Sequence, residues 1–196
     1  MRVGIAGAGG IGSNVAFQLV RAGVRHLKII DFDRIEPSNL DRQFYFADQV
    51  GRSKVSTLAE NLRRIDPALV VEWLDLRLTA ANMAAVFADT QVVVEGLDGA
   101  EDKKTLLETF GGTSKLVVAA SGVTGSQLDH IACQKFGNCQ VVGDFETPAG
   151  TENPYAPKII MVAAIMSAIV LEHLGLAQPA SEPKTKTKDT QTRGGE

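Results

Sequence analysis

The chain of 196 residues lacks several features that would fix its class at once. It has two cysteines, Cys133 and Cys139, which are too few for a disulfide framework or for a zinc site, because such a site needs about four ligands. It also lacks a basic excess, since 20 lysines and arginines face 23 aspartates and glutamates. The resulting net charge of −3 gives no reason to expect nucleic acid or an anionic membrane as the partner. We therefore expect no zinc, no nucleic acid and no membrane.

Long apolar runs and targeting signals are scarce as well. The longest apolar stretch, 159–170, is shorter than the roughly 18 residues that span a bilayer. Arg2 is followed at once by a strand-like run and then by glycines, a pattern unlike a signal peptide. We expect a cytoplasmic protein. From Gln178 onward the chain has no large apolar residue, so we predict a folded domain over 1–176 and a disordered tail over 177–196.

The chain does have a regular alternation of apolar runs and amphipathic segments. Strands are predicted at 2–6, 26–31, 68–74, 91–95 and 115–120, and helices at 10–22, 53–66, 79–88 and 100–110. This order indicates an α/β protein with a Rossmann-like, doubly wound and mostly parallel sheet. An appended antiparallel hairpin is predicted from 126–135 and 140–145, followed by a C-terminal helix over 157–174. That helix is apolar nearly all round, so we expect it to be buried.

A glycine-rich loop, Gly7-Ala8-Gly9-Gly10-Ile11-Gly12, joins the first strand to the first helix. In this pattern the first glycine permits the turn, the second lets the backbone approach a phosphate, and the third lets the helix pack on the sheet. The N-terminus of the helix also attracts anions. Asp31 ends the next strand, 19 positions after Gly12, where an acid binds ribose hydroxyls. Taken alone, these features predict an NAD-dependent oxidoreductase.

Three charged residues point to different chemistry. Arg42 lies in the region 34–51, which has no clear period and which we predict to be an ordered loop, and Lys54 starts the following helix. Two cations near nucleotide phosphates suit nucleotidyl transfer better than hydride transfer. Asp98 follows the fourth strand at the edge of the sheet where ligands bind, and a carboxylate there is a natural Mg²⁺ ligand beside phosphates. The alternatives are solvated surface charges for Arg42 and Lys54, and a helix cap for Asp98.

The ordered motifs together resemble the ThiF/MoeB/HesA superfamily, the bacterial relatives of ubiquitin-activating enzymes. They are the glycine loop, Asp31-Phe32-Asp33, Ser38-Asn39-Leu40-Asp41-Arg42-Gln43, Lys54 and Asp98. The segments 42–46, 142–145 and 155–157 are similar to the short ThiF-like branch, the adenylyltransferases of the sulfur carrier protein ThiS.

The resemblance implies ATP-dependent adenylation of the C-terminal Gly-Gly carboxylate of a small ubiquitin-like sulfur carrier, with release of pyrophosphate, in thiamine biosynthesis. It further implies a homodimer. The nucleotide site would comprise Gly7, Gly9, Gly10 and Gly12, with Asp31 on the ribose, Asn39, Arg42 and Lys54 on the phosphates, and Asp98 on Mg²⁺. By the same resemblance, Arg42, Lys54 and Asp98 would be the catalytic residues.

The sequence departs from the family pattern in three ways. It has no pair of CxxC motifs, and no convincing counterpart of the downstream cysteine that handles sulfur in some members. It begins at the glycine strand, without the preceding segment that supplies an arginine to the partner subunit, so that arginine is either missing or must come from elsewhere. Two alternatives stay open beside the adenylyltransferase. One is the oxidoreductase, which rests on the glycine loop and Asp31 alone, and the other is a carrier-binding module without catalytic activity, which the missing arginine and cysteine suggest.

Overall fold

A computed structural model describes residues 1–147 and 152–177. Within these residues, seven strands form one sheet in the order β3-β2-β1-β4-β5-β7-β6. The strands are β1 (Val3–Ala6), β2 (His26–Asp31), β3 (Val70–Asp75), β4 (Val92–Glu95), β5 (Leu116–Ser121), β6 (Ala132–Phe136) and β7 (Cys139–Gly143). The pairing of β6 with β7 is antiparallel and the other five pairings are parallel, which confirms the predicted fold class. The predicted disordered tail lies, from residue 178 onward, outside the described residues.

Helices cover both faces of the sheet. They are α1 (Gly10–Arg21), α2 (Lys54–Arg63), α3 (Met83–Val86), α4 (Ala100–Phe110) and α5 (Ala156–His173). Helices α1, α2 and α5 contribute buried side chains to one apolar cluster, and α3 and α4 contribute to a second one. The loop between β2 and α2 is ordered, as predicted, and contains two 3-10 turns, Pro37–Asn39 and Ala47–Gln49.

Two predicted elements are shortened more than the others in the structure. The helix predicted over 79–88 is reduced to α3, because the Asn82 side chain accepts a hydrogen bond from Thr79 N at 2.8 Å and donates to Arg77 O at 2.9 Å. Such local bonds compete with the start of a helix. The hairpin is limited to β6 and β7, and β7 ends where the Asp144 carboxylate turns the chain by accepting the N–H groups of residues 146 and 147.

The expectation that the C-terminal helix is buried is wrong for one of its sides. Helix α5 packs along α1, and its inner side includes the buried Lys158 and Ser167. Ile160 and Met161 on the outer side are 46% and 39% exposed, because none of the described residues covers that side. By length and composition alone α5 is apolar enough to cross a membrane, as core helices of soluble proteins also are, and 39% of it is buried within the fold. The absence of a membrane segment therefore stays a prediction.

Candidate functional site

The glycine loop packs directly against the backbone at the end of β4. Gly7 has a φ of +92°, and a side chain there would collide with the carbonyl oxygen of Gly96. A side chain on Gly12 would collide with the carbonyl oxygen of Gly7. These glycines are therefore required for the close approach of the loop, the first helix and β4. Strand order reverses between β1 and β4, and ligands bind at such a point in doubly wound sheets.

Asp31 at the end of β2 is bonded directly to this loop. Its Oδ2 accepts a hydrogen bond from Ala8 N at 2.6 Å, and its Oδ1 accepts one from Asp33 N at 2.8 Å. Burial raises the pKa of the Asp31 carboxyl, and these two bonds together with the charge of Lys54 counteract only part of that rise. The carboxylate is thus held in place beside the loop, where the sequence predicts a ribose contact.

Two cavities meet at this edge of the sheet. The inner cavity, of about 170 Å³, is lined by residues that include Gly7, Gly9 and Asp31. The second cavity is a groove of about 1060 Å³ that runs across the ends of β4, β5 and β7 and includes Gly10 and Arg42 in its lining. Residues 96–98, which contain the predicted magnesium ligand, line both. A ligand in the inner cavity would therefore meet a ligand in the groove at this short segment.

Asp98 is exposed and is not the cap of the helix that follows it. The N-cap of α4 is Gly99, and no side chain caps that helix. Among the described residues no three His, Cys, Asp or Glu side chains cluster as metal ligands. Asp98 thus offers one carboxylate to a cation, which fits Mg²⁺ because that ion is commonly held by one or two carboxylates and by phosphate oxygens.

The two predicted phosphate-binding cations are each paired with a carboxylate in this structure. Lys54, whose side chain is 5% exposed, places Nζ 2.9 Å from Asp33 Oδ2. Arg42 lines the groove and donates from Nη1 to Asp41 Oδ1 and to the Ser38 carbonyl oxygen, both at 2.7 Å. A phosphate that bound to either cation would have to share it with, or displace, that carboxylate.

Helix α2 is joined to the glycine loop by Tyr45. The buried Tyr45 hydroxyl donates to Ala8 O at 2.8 Å and lies 3.3 Å from Lys54 O. Burial, with the nearby carboxylates of Asp31 and Asp33, raises the pKa of Tyr45 well above its ordinary value, so the hydroxyl remains a donor at neutral pH. No pattern in the sequence predicts this role for Tyr45.

Asn39 has a clear role in shaping the loop. Its Oδ1 accepts from Glu36 N at 3.1 Å, and its carbonyl oxygen accepts from Arg42 N at 3.3 Å and Gln43 N at 3.0 Å. It is 8% exposed and is not part of the lining of the inner cavity or the groove. Its contact with a phosphate stays a prediction.

An ion pair that was not predicted from the sequence lies in the wall of the groove. Glu95 is fully buried at the end of β4, where its carboxylate accepts from Leu97 N at 2.7 Å and from Lys103 Nζ at 2.8 and 2.9 Å. These bonds fix the turn that leads to Asp98. A charged residue that closes an otherwise apolar strand, with a lysine eight positions later, was the available signal.

A second buried pair joins α5 to the groove wall. Lys158 is completely buried, and its Nζ donates to Asp144 Oδ2 and to the Thr124 carbonyl oxygen, both at 2.6 Å. Burial alone would raise the pKa of the Asp144 carboxyl, but the bonds from Lys158 and Thr147 outweigh it and hold the pKa well below the usual range. A lysine within an apolar helix was the sequence signal for this pair.

The cysteines do not face each other across the hairpin. The register pairs Cys133 of β6 with Val142 and Cys139 of β7 with Phe136. Cys133 is exposed and Cys139 is buried, and both thiols are free.

Comparison with known proteins identifies the family. The model of the ThiF family matches residues 1–191. The chain belongs to the ThiF family. It is similar to the adenylyltransferase and sulfurtransferase UBA4 of Yarrowia lipolytica, with 34% identity over 128 residues, which are 65% of this chain and 32% of that protein. It is also similar to the ubiquitin-like modifier-activating enzyme 5 of Drosophila melanogaster, with 38% identity over 88 residues, 45% of this chain and 22% of that protein. The chain thus spans at most about a third of the length of these relatives.

Solved structures share the fold of this ThiF-family chain. The tRNA N6-threonylcarbamoyladenosine dehydratase TcdA of E. coli, solved in complex with AMP, superposes with a TM-score of 0.80 at 21% identity, over 89% of this chain and 85% of that one. MccB of E. coli, solved with ATP, superposes with a TM-score of 0.72 at 21% identity, over 92% of this chain and 58% of that one. The predicted Rossmann-like ThiF fold is therefore confirmed.

Proposed function

We propose that this chain uses ATP to adenylate the C-terminal carboxylate of a small ubiquitin-like sulfur carrier protein that ends in Gly-Gly. The observation that carries the proposal is the meeting of the two cavities at Asp98. The inner cavity is lined by Asp31 and the glycine loop, which suit a nucleotide, and the groove, of about 1060 Å³, is large enough for an extended peptide end. The two substrates would thus approach each other beside a carboxylate suited to Mg²⁺.

The reaction needs charge stabilisation and no proton transfer. A carboxylate oxygen of the carrier forms a bond to the α-phosphorus while the bond from that phosphorus to the bridging oxygen breaks, and pyrophosphate leaves with the electron pair. Negative charge therefore accumulates on pyrophosphate. Arg42 and Lys54 supply positive charge for this step once their carboxylate partners give way. Mg²⁺, held by Asp98 and the phosphates, would neutralise further charge when bound.

The identity of the carrier is the finer part of the proposal. One of the relatives named above, UBA4, is an adenylyltransferase and sulfurtransferase, which supports a sulfur carrier as the partner. The resemblance of segments 42–46, 142–145 and 155–157 to the short ThiF-like branch favours a ThiS-like carrier in thiamine biosynthesis. We further propose a homodimer formed through the outer side of α5, because that side exposes the apolar Ile160 and Met161.

Exchange of labelled pyrophosphate into ATP tests the function directly. We expect exchange that depends on Mg²⁺ and on a Gly-Gly-ending carrier encoded in the same genome, and none when the carrier lacks its last glycine. No exchange with any such carrier would refute the adenylyltransferase. Exchange by the wild type would exclude a module without catalytic activity. A thermal-shift titration with ATP and with NAD separates the oxidoreductase, because a ligand stabilises the protein only if it binds the native state.

A further inference from the structure

Two buried glutamines in the loop between β2 and α2 differ in their hydrogen bonding. Gln49 is 5% exposed, and its Oε1 accepts from Phe46 N at 3.0 Å and from Asn61 Nδ2 at 3.1 Å, while its Nε2 donates to Asn61 Oδ1 at 2.7 Å. Gln43 is 9% exposed, and its enclosed Oε1 has no hydrogen-bond partner among the described residues. A buried polar group without a partner is unfavourable, and in a native protein it requires an explanation.

The main chain around Gln43 is fixed. Its N–H donates to Asn39 O at 3.0 Å, and its carbonyl oxygen accepts from Tyr45 N at 2.8 Å. The carbonyl oxygen of the preceding residue accepts from Asn14 Nδ2 on α1 at 2.8 Å. These bonds hold the main chain in place, so rotation of the Gln43 side chain is the smallest change that would give the amide oxygen a partner.

The Gln43 side chain lies where the two cavities join. Its Nε2 is 3.9 Å from the point at which a Cβ on Gly9 would stand, and Asp98 Oδ1 is 3.9 Å from the same point. Gln43 lines the groove, whereas Gly9 lines the inner cavity. The carboxamide and the carboxylate suited to Mg²⁺ thus flank the middle of the glycine loop, where the backbone approaches a phosphate.

We propose that the Gln43 carboxamide contacts both substrates of the adenylation step. Its Nε2 donates to a phosphoryl oxygen of the nucleotide, and its Oε1 accepts from the backbone N–H of the last glycine of the carrier. The terminal torsion of glutamine is soft, so rotation of the amide brings Oε1 out of its enclosure when the ligands arrive. A neutral group that both donates and accepts can hold two anionic partners together without pairing permanently with either one. This inference rests on the proposed function.

The test compares Gln43→Met with the matched control Gln49→Met. Methionine has nearly the shape of glutamine, so each variant removes one amide from a buried site. We expect Gln43→Met to melt at or above the wild-type temperature, because it removes a polar group that has no partner. Gln49→Met should melt about 3–8 °C lower, because it removes bonded groups and leaves Asn61 without them.

In the activity assay, Gln43→Met should be the impaired variant and Gln49→Met the unimpaired one. With the carrier from the same genome, Gln43→Met should lower kcat for pyrophosphate exchange by about 100-fold, as loss of one donor to a developing charge does elsewhere. Its Kd for MgATP should change less than about threefold, because the contact strengthens only as negative charge develops on the phosphate oxygens during the reaction. Gln49→Met, assayed below its melting temperature, should keep its kcat. Gln43→Glu, which retains the acceptor and loses the donor, should be at least as slow as Gln43→Met.

The outcomes distinguish failure of the Gln43 inference from failure of the proposed function. An active wild type with an equally active Gln43→Met would overturn this inference and leave the proposed function standing. A melting temperature for Gln43→Met that falls as far as that of Gln49→Met would show a structural role and also overturn it. A wild type that exchanges no pyrophosphate with any carrier would refute the proposed function and this inference with it.

Discussion

Replacement of Lys158 by methionine should be one of the most destabilising single changes in this fold. The Lys158 side chain is fully buried, and its ammonium is 2.6 Å from both Asp144 Oδ2 and Thr124 O. Methionine fills a similar volume but leaves the Asp144 carboxylate buried without its cation. Loss of one partner from a buried pair costs about 3–5 kcal/mol. Asp144 keeps its hydrogen bonds from Glu146 N, Thr147 N and Thr147 Oγ1, so we expect the lower end, about 3 kcal/mol.

The assay is urea unfolding followed by circular dichroism, with thermal melting as a second measure. For a chain of this size, 1 kcal/mol corresponds to about 2–4 °C, so Lys158→Met should lower Tm by roughly 6–12 °C. The double variant Lys158→Met/Asp144→Asn removes the unpaired charge and should recover part of the loss. A Lys158→Met protein within about 1 kcal/mol of the wild type would refute the reasoning. A double variant less stable than Lys158→Met would refute it too.

The pH dependence gives an independent check on this pair. The pKa of the Asp144 carboxyl is lower in the folded protein than its ordinary value of 3.8. Its contribution to stability is therefore fully present above about pH 5 and is lost as the pH falls through 3.8 toward the folded value. Below pH 5 the wild type should lose stability more steeply than Asp144→Asn, which has no proton to take up at this position. Equal slopes for the two proteins would contradict the assignment.

Two further predictions concern the partner surface and the nucleotide. Met161→Glu, on the exposed side of α5, should convert the proposed homodimer into a monomer in sedimentation velocity. The control Lys104→Glu, on the exposed part of α4, should leave the assembly unchanged. A monomeric wild type would rule out the dimer. Asp31→Asn should weaken MgATP binding by about 10–100-fold in calorimetry, because it replaces a charged acceptor for ribose hydroxyls with a neutral one. An unchanged Kd would show that Asp31 does not bind the nucleotide.

The parts of the candidate site that depend on local backbone geometry could be predicted from the sequence. The glycine loop and Asp31 were predicted because a tight turn, a helix start and the end of a parallel strand have a fixed spacing along the chain. The structure brings Gly7, Gly9, Asp31 and Asp98 to one cavity, as that spacing implies. The alternative interpretation of Asp98 as a helix cap is excluded, because the N-cap of α4 is Gly99.

The choice of partner by each buried polar side chain could not be predicted in the same way. Lys54 pairs with Asp33 across 21 positions, and Lys158 pairs with Asp144 because α5 returns across the sheet. Such pairings depend on how the layers pack, and no period in the sequence reports that. The outer side of α5 was mispredicted for a related reason: apolar composition shows that a helix can be buried, but only the packing shows which side is covered.

The carboxylate partners of the two cations bear on how the proposed reaction could begin. Without a counter-ion, a lysine as buried as Lys54 would destabilise the fold, and Asp33 supplies that counter-ion. A phosphate that takes the place of Asp33 exchanges one anion for another, so the lysine is never left unpaired. Asp33, whose side chain is 43% exposed, can then turn into solvent at little cost. Arg42, at 20% exposure, can release Asp41 in the same way. The cations would therefore contribute little to holding ATP in the ground state, and more of their effect would remain for the charge that develops on pyrophosphate.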